Sequence, residues 1–165
     1  MTLITEDGTG LSTAESFASV AAADTRLAAQ GMTNWATLTT TEKEQALRRS
    51  TAFMEQAYRG RWKGTRLLRE QALSWPRYGS QADGWYVPST EVPVEVVNAC
   101  IDLAFKAASG DLNADVTRTV IREKVGPLET EYSPHAHQST AYRSVDMALA
   151  PYLTGGGGSV RLVRA

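Results

Sequence analysis

The sequence predicts a mainly α-helical protein: a small helical bundle with one minor β-hairpin and an extended C-terminal arm. Apolar side chains recur at three- and four-residue intervals in the longer segments, which is the period of an amphipathic helix. Two short runs around a Gly-Pro pair, residues 120–125 and 128–132, have the composition of paired strands. With 165 residues, 42% of them hydrophobic, the chain can bury one core of ordinary size.

The N-terminal part is predicted to be an extended arm and loop followed by a helix. Turn dipeptides of the Asp-Gly and Thr-Gly type place residues 2–15 outside regular structure. Ser19 can cap a helix over residues 20–29, whose alanines favour helix and close packing. Gly31 is placed to adopt the left-handed conformation that commonly follows a helix end.

The second helix has the clearest signal. A capping box, either Thr39 with Glu42 or Thr41 with Glu44, marks its start. An apolar stripe at helical spacing follows. We expect the helix to end near Tyr58, because two glycines follow within six residues.

A third helix is predicted between Pro93 and Gly110. Proline suits the first helical position because it lacks the amide hydrogen that is unpaired there. The wide apolar face of this helix contains Cys100, which we interpret as a small buried core residue rather than a nucleophile. A short last helix around Val145 is expected to stop near Pro151.

Charge and composition exclude several classes of protein. The 17 Lys and Arg residues are balanced by 18 Asp and Glu, which argues against a protein that wraps duplex DNA by bulk charge. One cysteine cannot form an intrachain disulfide. The N-terminus does not have the pattern of a signal peptide, and no apolar run approaches the ~18 residues of a membrane span. We expect a soluble protein without a membrane partner, made in a reducing compartment.

Residues 59–78 form the one segment with a distinctive chemical composition. Six cations stand against one acid in residues 59–77, a net charge of +5 that leaves −6 for the rest of the chain. Aromatic residues are interleaved with these cations. Arginine can neutralise phosphates while aromatic rings stack on unpaired bases; alternatively, the tryptophans are core residues and the arginines lie at a subunit interface. The candidate residues for either contact are Arg59, Arg61, Trp62, Lys63, Arg66, Arg69, Trp75 and Arg77.

The sequence contains no pattern that supports a catalytic, metal or cofactor site. His135 and His137 lack a third ligand for zinc, so we interpret them as part of a solvated loop. The glycines of residues 7–10 superficially resemble a phosphate-binding loop, but the spacing and the lysine of that motif are missing. We therefore expect a protein that is not an enzyme, with no catalytic residue, cofactor or metal.

The C-terminal residues are predicted to be a separate arm. Residues 1–153 form the domain, and residues 154–165 comprise a glycine linker and a final segment. Such a segment can bind by adding a strand to an exposed sheet edge of a partner. The predicted docking residues are Val160, Arg161, Leu162, Val163 and Arg164.

Four segments of the chain also carry a resemblance to a known family. They are MTLITEDGTGLSTAESFASVAAAD, then AYRGRWKGTR with QALSWPRYG, then VPVEVVNACIDLAFKAASGDL, and finally REKVGPLETEY. In this order they resemble small phage proteins labelled DnaT-like single-stranded-DNA-binding proteins, which are similar to head–tail adaptor (connector) proteins of long-tailed phages. The resemblance extends from residue 1 to about residue 153.

The resemblance implies a structural protein of the virion neck, made in the host cytoplasm. Such adaptors form rings, typically dodecamers, that dock on the portal and extend the DNA channel towards the tail. The implied partners are the portal protein, further copies of this chain, a stopper or tail-completion protein, and packaged DNA passing through the lumen. The alternative is a single-stranded nucleic-acid-binding protein that uses residues 59–78.

Overall fold

The computed structural model describes residues 2–113, 120–124, 129–132 and 142–155. Its helices are α1 (Val20–Ala29), α2 (Thr33–Ala36), α3 (Thr40–Tyr58), α4 (Val94–Ser109) and α5 (Arg143–Leu149), the last followed by a 3₁₀ turn over Ala150–Tyr152. The strands are β1 (Thr65–Arg66), β2 (Arg77–Tyr78), β3 (Gln81–Ala82), β4 (Trp85–Tyr86), β5 (Val120–Lys124) and β6 (Glu129–Tyr132). In the described ranges these strands form three antiparallel pairs, in chain order. The prediction of a mainly α fold with minor β structure is confirmed.

The first two predicted helix starts are confirmed at the level of their caps. The Ser19 side chain accepts a hydrogen bond from the amide of Ala22 at the start of α1. At the start of α3, Thr39 accepts from the Glu42 amide, and the Glu42 carboxylate accepts from the Thr39 amide. These side chains satisfy amides that have no partner within the helix.

The later boundaries also follow the prediction closely. Pro93 stands one residue before α4 instead of at its first position, and its carbonyl accepts from the amides of Val96 and Val97. Gly110 ends this helix in an extended conformation. The predicted hairpin is present as the β5–β6 pair, with Val120 opposite Tyr132.

The core lies where α3 and α4 pack together, with α1 and α5 against α4. Cys100 is fully buried at this contact, 3.2 Å from the Ser50 hydroxyl and 3.3 Å from the Thr51 hydroxyl. Both hydroxyls come from α3, so the thiol and its polar neighbours lie between the two helices. The interpretation of Cys100 as a core residue is confirmed.

Three short elements were missed, namely helix α2, the β1–β2 pair and the β3–β4 pair. Helix α2 has only four residues, too few to give a periodic signal. The β3–β4 pair lies where a loop was expected, and each of its strands has only two residues. Its turn is formed by Asp83 and Gly84, both with positive φ (51° and 86°), the conformation that an Asp-Gly hairpin turn requires.

Candidate nucleic-acid interface

The basic segment, residues 59–78, runs from the end of α3 to the end of β2 and pairs back on itself. Thr65 lies opposite Tyr78, and Arg66 lies opposite Arg77. Because successive strand side chains point to opposite sides, each pair occupies one side of the ladder. Tyr78 is 69% exposed, whereas Arg77 is 7% exposed. The ladder therefore presents Tyr78 to solvent and turns Arg77 towards the body.

Gly64 permits this fold-back. Its φ is +71°, and a Cβ at this position would lie 2.4 Å from the carbonyl oxygen of Tyr78. Both the left-handed backbone and the close approach exclude a larger residue without rearrangement. The turn that leads into β1 thus depends on glycine.

The two tryptophans of the segment belong to the core. Trp62 is 5% exposed and Trp75 is fully buried, with their ring centroids 5.7 Å apart in an edge-to-face arrangement. Tyr58 packs edge-to-face against Trp62, and Tyr152 packs in the same way against Trp75. The four rings form a continuous row, which we call the aromatic ladder. Neither indole is available to stack on a base, so the core interpretation holds for both.

Hydrogen bonds fix the two ends of the aromatic ladder. The Tyr58 hydroxyl donates to Asp146 on α5 at 2.7 Å, and the Tyr152 hydroxyl donates to Glu95 on α4 at 2.6 Å. Burial raises the pKa of both tyrosines, and these hydrogen bonds to carboxylates raise it further. The aromatic ladder thus connects the basic segment to α4 and α5.

Arg77 is a structural arginine. Its guanidinium donates to the carbonyl oxygens of Lys63 at 2.7 Å, Ser74 at 3.0 Å and Gly64 at 2.6 Å, and more weakly to that of Trp62. Desolvation, and secondarily the charge of Arg66, lowers the pKa of Arg77. Since its donors are committed to backbone oxygens, Arg77 is unavailable to a phosphate.

Arg61 and Lys63 hold residues 151–155, with side-chain as well as backbone groups; the Arg61 guanidinium donates to the carbonyl of Gly155 at 3.3 Å. The Arg61 carbonyl accepts from the amide of Thr154 at 2.6 Å, and the Lys63 amide donates to the carbonyl of Tyr152 at 2.9 Å. The Lys63 ammonium donates to the carbonyl of Pro151 at 2.6 Å. Residues 152–155 thus lie antiparallel beside the basic segment.

The exposed cations and the exposed ring of the segment are Arg59, Arg69 and Tyr78, which we call the cationic surface; Arg66 lies opposite Arg77, on the other side of the ladder from Tyr78. Arg59 and Arg69 are exposed, and Arg66 is half-buried. Within the described residues, none of these three arginine side chains forms an ion pair. This surface combines free guanidinium groups with one exposed aromatic ring.

Sequence reasoning missed a second exposed aromatic group. Trp85 is 80% exposed and Tyr86 is 74% exposed, both on β4. The Asp-Gly dipeptide before them is a hairpin signal that could have identified this pair. These rings lie beside carboxylates: Asp83, Glu91 and Glu95 line the same depression, which we call the acidic cleft.

The glycine loop near the N-terminus is occupied by the protein itself. The buried Glu6 carboxylate accepts hydrogen bonds from the amides of Gly8, Gly10 and Leu11 at 2.9–3.0 Å. A phosphate-binding loop would direct such amides at its ligand. Here a carboxylate already fills that position, so the loop is a structural element.

Two sets of residues discussed from the sequence, the loop histidines and the docking arm, lie outside the described ranges. These are His135, His137 and the arm residues 160–164. Among the residues that were searched, no group of acidic, histidine or cysteine side chains could hold a metal ion. In the described part of the chain, none of the helices combines the length and apolar character of a membrane span.

Comparison with known proteins gives one match. A family model described as "Putative DnaT-like ssDNA binding protein" matches residues 1–165. Searches of curated proteins and of solved structures each found no match. The description names single-stranded DNA and makes no reference to a head–tail adaptor. Because the match extends over the whole sequence, the chain belongs to the family of DnaT-like ssDNA-binding proteins.

Proposed function

We propose that the protein binds single-stranded DNA on the cationic surface and has no catalytic role. The observation that carries this proposal is the exposed ring of Tyr78 in a segment whose exposed guanidinium groups, at Arg59 and Arg69, have no acidic partner among the described residues. Family membership supports the same ligand.

The chemistry of this surface suits an unpaired strand. The ring of Tyr78 can stack on one base, an interaction worth ~1–3 kcal/mol by alanine substitution. The arginines can neutralise phosphates and release counterions, which makes binding depend on salt. With one ring and two exposed arginines per chain, we expect modest affinity that falls between low and physiological salt.

Fluorescence anisotropy with a labelled oligothymidine tests the proposal. Tyr78→Ala should weaken binding about 10-fold, the effect of losing one stacked base. Arg59→Gln and Arg69→Gln should each reduce the slope of log affinity against log salt by ~0.7.

Two matched variants serve as controls for this measurement. Trp85→Ala removes an equally exposed ring beside carboxylates, and Arg143→Gln removes an exposed cation from α5. Both should leave affinity and salt slope unchanged. Equal losses in Tyr78→Ala and Trp85→Ala would exclude the cationic surface as the specific site.

A head–tail adaptor is the second candidate, favoured by a specific observation. Within the basic segment, Trp62, Trp75 and Arg77 are buried in the fold. Arg61 and Lys63 form hydrogen bonds with residues 152–155. Few groups remain to grip DNA, which suits a ring lumen through which packaged DNA must slide. In this proposal the chain leaves the body beside Arg61, and the arm docks on a portal in the virion neck.

Electron microscopy of the protein mixed with isolated portal rings tests this second candidate. An adaptor should add a ring of density beneath the portal, with a stopper or tail-completion protein below it. Val160→Asp with Leu162→Asp should abolish that ring, because charged side chains cannot pack on an apolar sheet edge. Density that persists with this double variant would assign docking to the folded body, and absence of any ring would reject the adaptor role.

A further inference from the structure

The acidic cleft is a binding site whose chemistry differs from that of the cationic surface. It lies between the β3–β4 pair and the chain entering α4, with a volume of about 420 Å³. Its exposed apolar side chains are Trp85, Tyr86 and Val94. Carboxylates of Asp83, Glu91 and Glu95 complete the lining, and no lysine or arginine is among the described residues there.

The negative charge of the cleft is not compensated within the described chain. Glu95 accepts a hydrogen bond from Tyr152, but neither Asp83 nor Glu91 takes part in an ion pair there. Burial raises the pKa of Tyr152, and the charges of Glu95, Asp83 and Glu91 raise it further. The cleft therefore repels phosphates and favours a cation.

Two exposed rings beside free carboxylates are suited to bind an arginine. A guanidinium stacks on an aromatic face and forms paired hydrogen bonds with a carboxylate. Val94, which is 62% exposed, adds an apolar surface for an aliphatic neighbour of that arginine. The cleft thus fits a short basic segment that also carries aliphatic side chains.

The C-terminal residues of this chain have that composition. Residues 160–164 comprise Val160, Leu162 and Val163 with two arginines, and they contain no acid. Tyr152 lines the cleft, and the chain leaves the described structure only three residues later, at Gly155. The next five residues can span about 17 Å when extended, so residues 160–164 can return to the cleft of the same molecule.

We propose that residues 160–164 dock in the acidic cleft of their own chain, with an arginine on Trp85 and against the carboxylates of Asp83 and Glu91. The glycine linker holds the segment at an effective concentration on the order of millimolar, so weak contacts suffice. This inference is independent of DNA binding, because the cleft and the cationic surface share no residue.

Acrylamide quenching of tryptophan fluorescence in the full-length chain tests the proposal. Trp35, Trp62 and Trp75 are at most 5% exposed, so quenching reports mainly on Trp85. Arg161→Glu with Arg164→Glu should raise the quenching constant roughly twofold, because a docked guanidinium shields one face of the indole. The matched control, Arg49→Glu with Arg143→Glu, changes two exposed arginines outside the cleft and should leave the constant unchanged.

Changes on the other partner make the test specific. The double variant Asp83→Asn with Glu91→Arg should raise the quenching constant in the same way. Asparagine is chosen because it tolerates the positive φ of position 83. Combining these changes with the tail double variant should restore at least half of the lost protection, since the charges are complementary again. Equal urea midpoints for all variants establish that each one is folded.

Dilution distinguishes docking within one molecule from docking between copies. Protection of Trp85 that is independent of protein concentration supports the proposal. Protection that disappears on dilution assigns the tail to the cleft of a second copy and overturns it. A quenching constant that is the same in wild type and in the tail double variant overturns docking altogether, whatever the DNA measurements give.

Discussion

The Arg77 guanidinium lies 2.6 Å from the carbonyl oxygen of Gly64, and so joins the end of the basic segment to the turn at its start. The same guanidinium reaches the carbonyls of Lys63 and Ser74. One side chain therefore replaces the longer strand pairing that a two-residue ladder cannot provide.

We expect Arg77→Lys to destabilise the protein by about 2–4 kcal/mol although it retains the charge. A lysine is a compact point charge and cannot reproduce the planar fork that serves several carbonyls at once, which leaves buried acceptors unpaired. Urea denaturation measures the loss. A cost equal to that of the exposed replacement Arg69→Lys would show that Arg77 has no bridging role.

Gly64→Ala should be far more damaging than Gly31→Ala. Both glycines have φ near +70°, but a Cβ at Gly31 meets nothing within 4 Å, whereas one at Gly64 meets the Tyr78 carbonyl. The backbone conformation alone costs about 1–2 kcal/mol, and overpacking at Gly64 adds about 1–3 kcal/mol. Midpoints of urea unfolding for the two variants test the difference, and equal midpoints would contradict the close approach.

Trp75→Phe should cost less stability than Trp35→Phe. Both indoles are buried, but Trp35 Nε1 donates to Asp24 at 2.7 Å, whereas Trp75 Nε1 has no partner among the described residues. The volume lost is the same, so the difference of about 1 kcal/mol isolates the hydrogen bond at Trp35. Thermal and urea unfolding of the two variants test this order, and the reverse order would place a donor contact at Trp75.

Stability should fall at alkaline pH because of Tyr58 and Tyr152. Burial, with hydrogen bonds to carboxylates, raises the pKa of both above the ordinary value of 10.0, so the unfolded chain loses these protons first. The stabilisation is complete below pH 10 and is lost as pH rises towards the folded pKa. Each tyrosine should account for up to about 1.4 kcal/mol by about pH 11.

The double variant Tyr58→Phe with Tyr152→Phe checks this assignment. It should be less stable at neutral pH, because two hydrogen bonds are lost, but its free energy of unfolding should decline less between about pH 9 and pH 11. A decline as steep as that of the wild type would assign the alkaline effect to other groups.

Features encoded within one turn of a helix were predictable from the sequence. The Thr39–Glu42 capping box and the Ser19 cap are local, so the starts of α1 and α3 follow from adjacent residues alone. The same locality explains the small error at Pro93, which lies one residue outside its helix.

The basic segment could not be resolved from sequence, because the position of its rings depends on distant residues. Trp75 is buried against Tyr152, and Arg77 is surrounded by carbonyls whose arrangement only the fold creates. A segment rich in arginine and tryptophan has the same composition whether its tryptophans are buried in the core or exposed to stack on bases. The Asp-Gly turn before Trp85 could have predicted that this residue begins a hairpin strand. However, strands of two residues are too short to show the alternation of apolar and polar residues that would support such a prediction.

The pairing of Arg61 with Thr154 joins residues 93 positions apart in the sequence. Contacts of such separation form slowly, since the intervening chain must first be brought together. A nascent chain that has not reached residue 152 lacks Tyr152, and Trp75 remains uncovered on one side. The bundle therefore completes its core only once residue 152 has been synthesised, and a premature stop codon upstream of residue 152 would leave Trp75 without one of its ring partners.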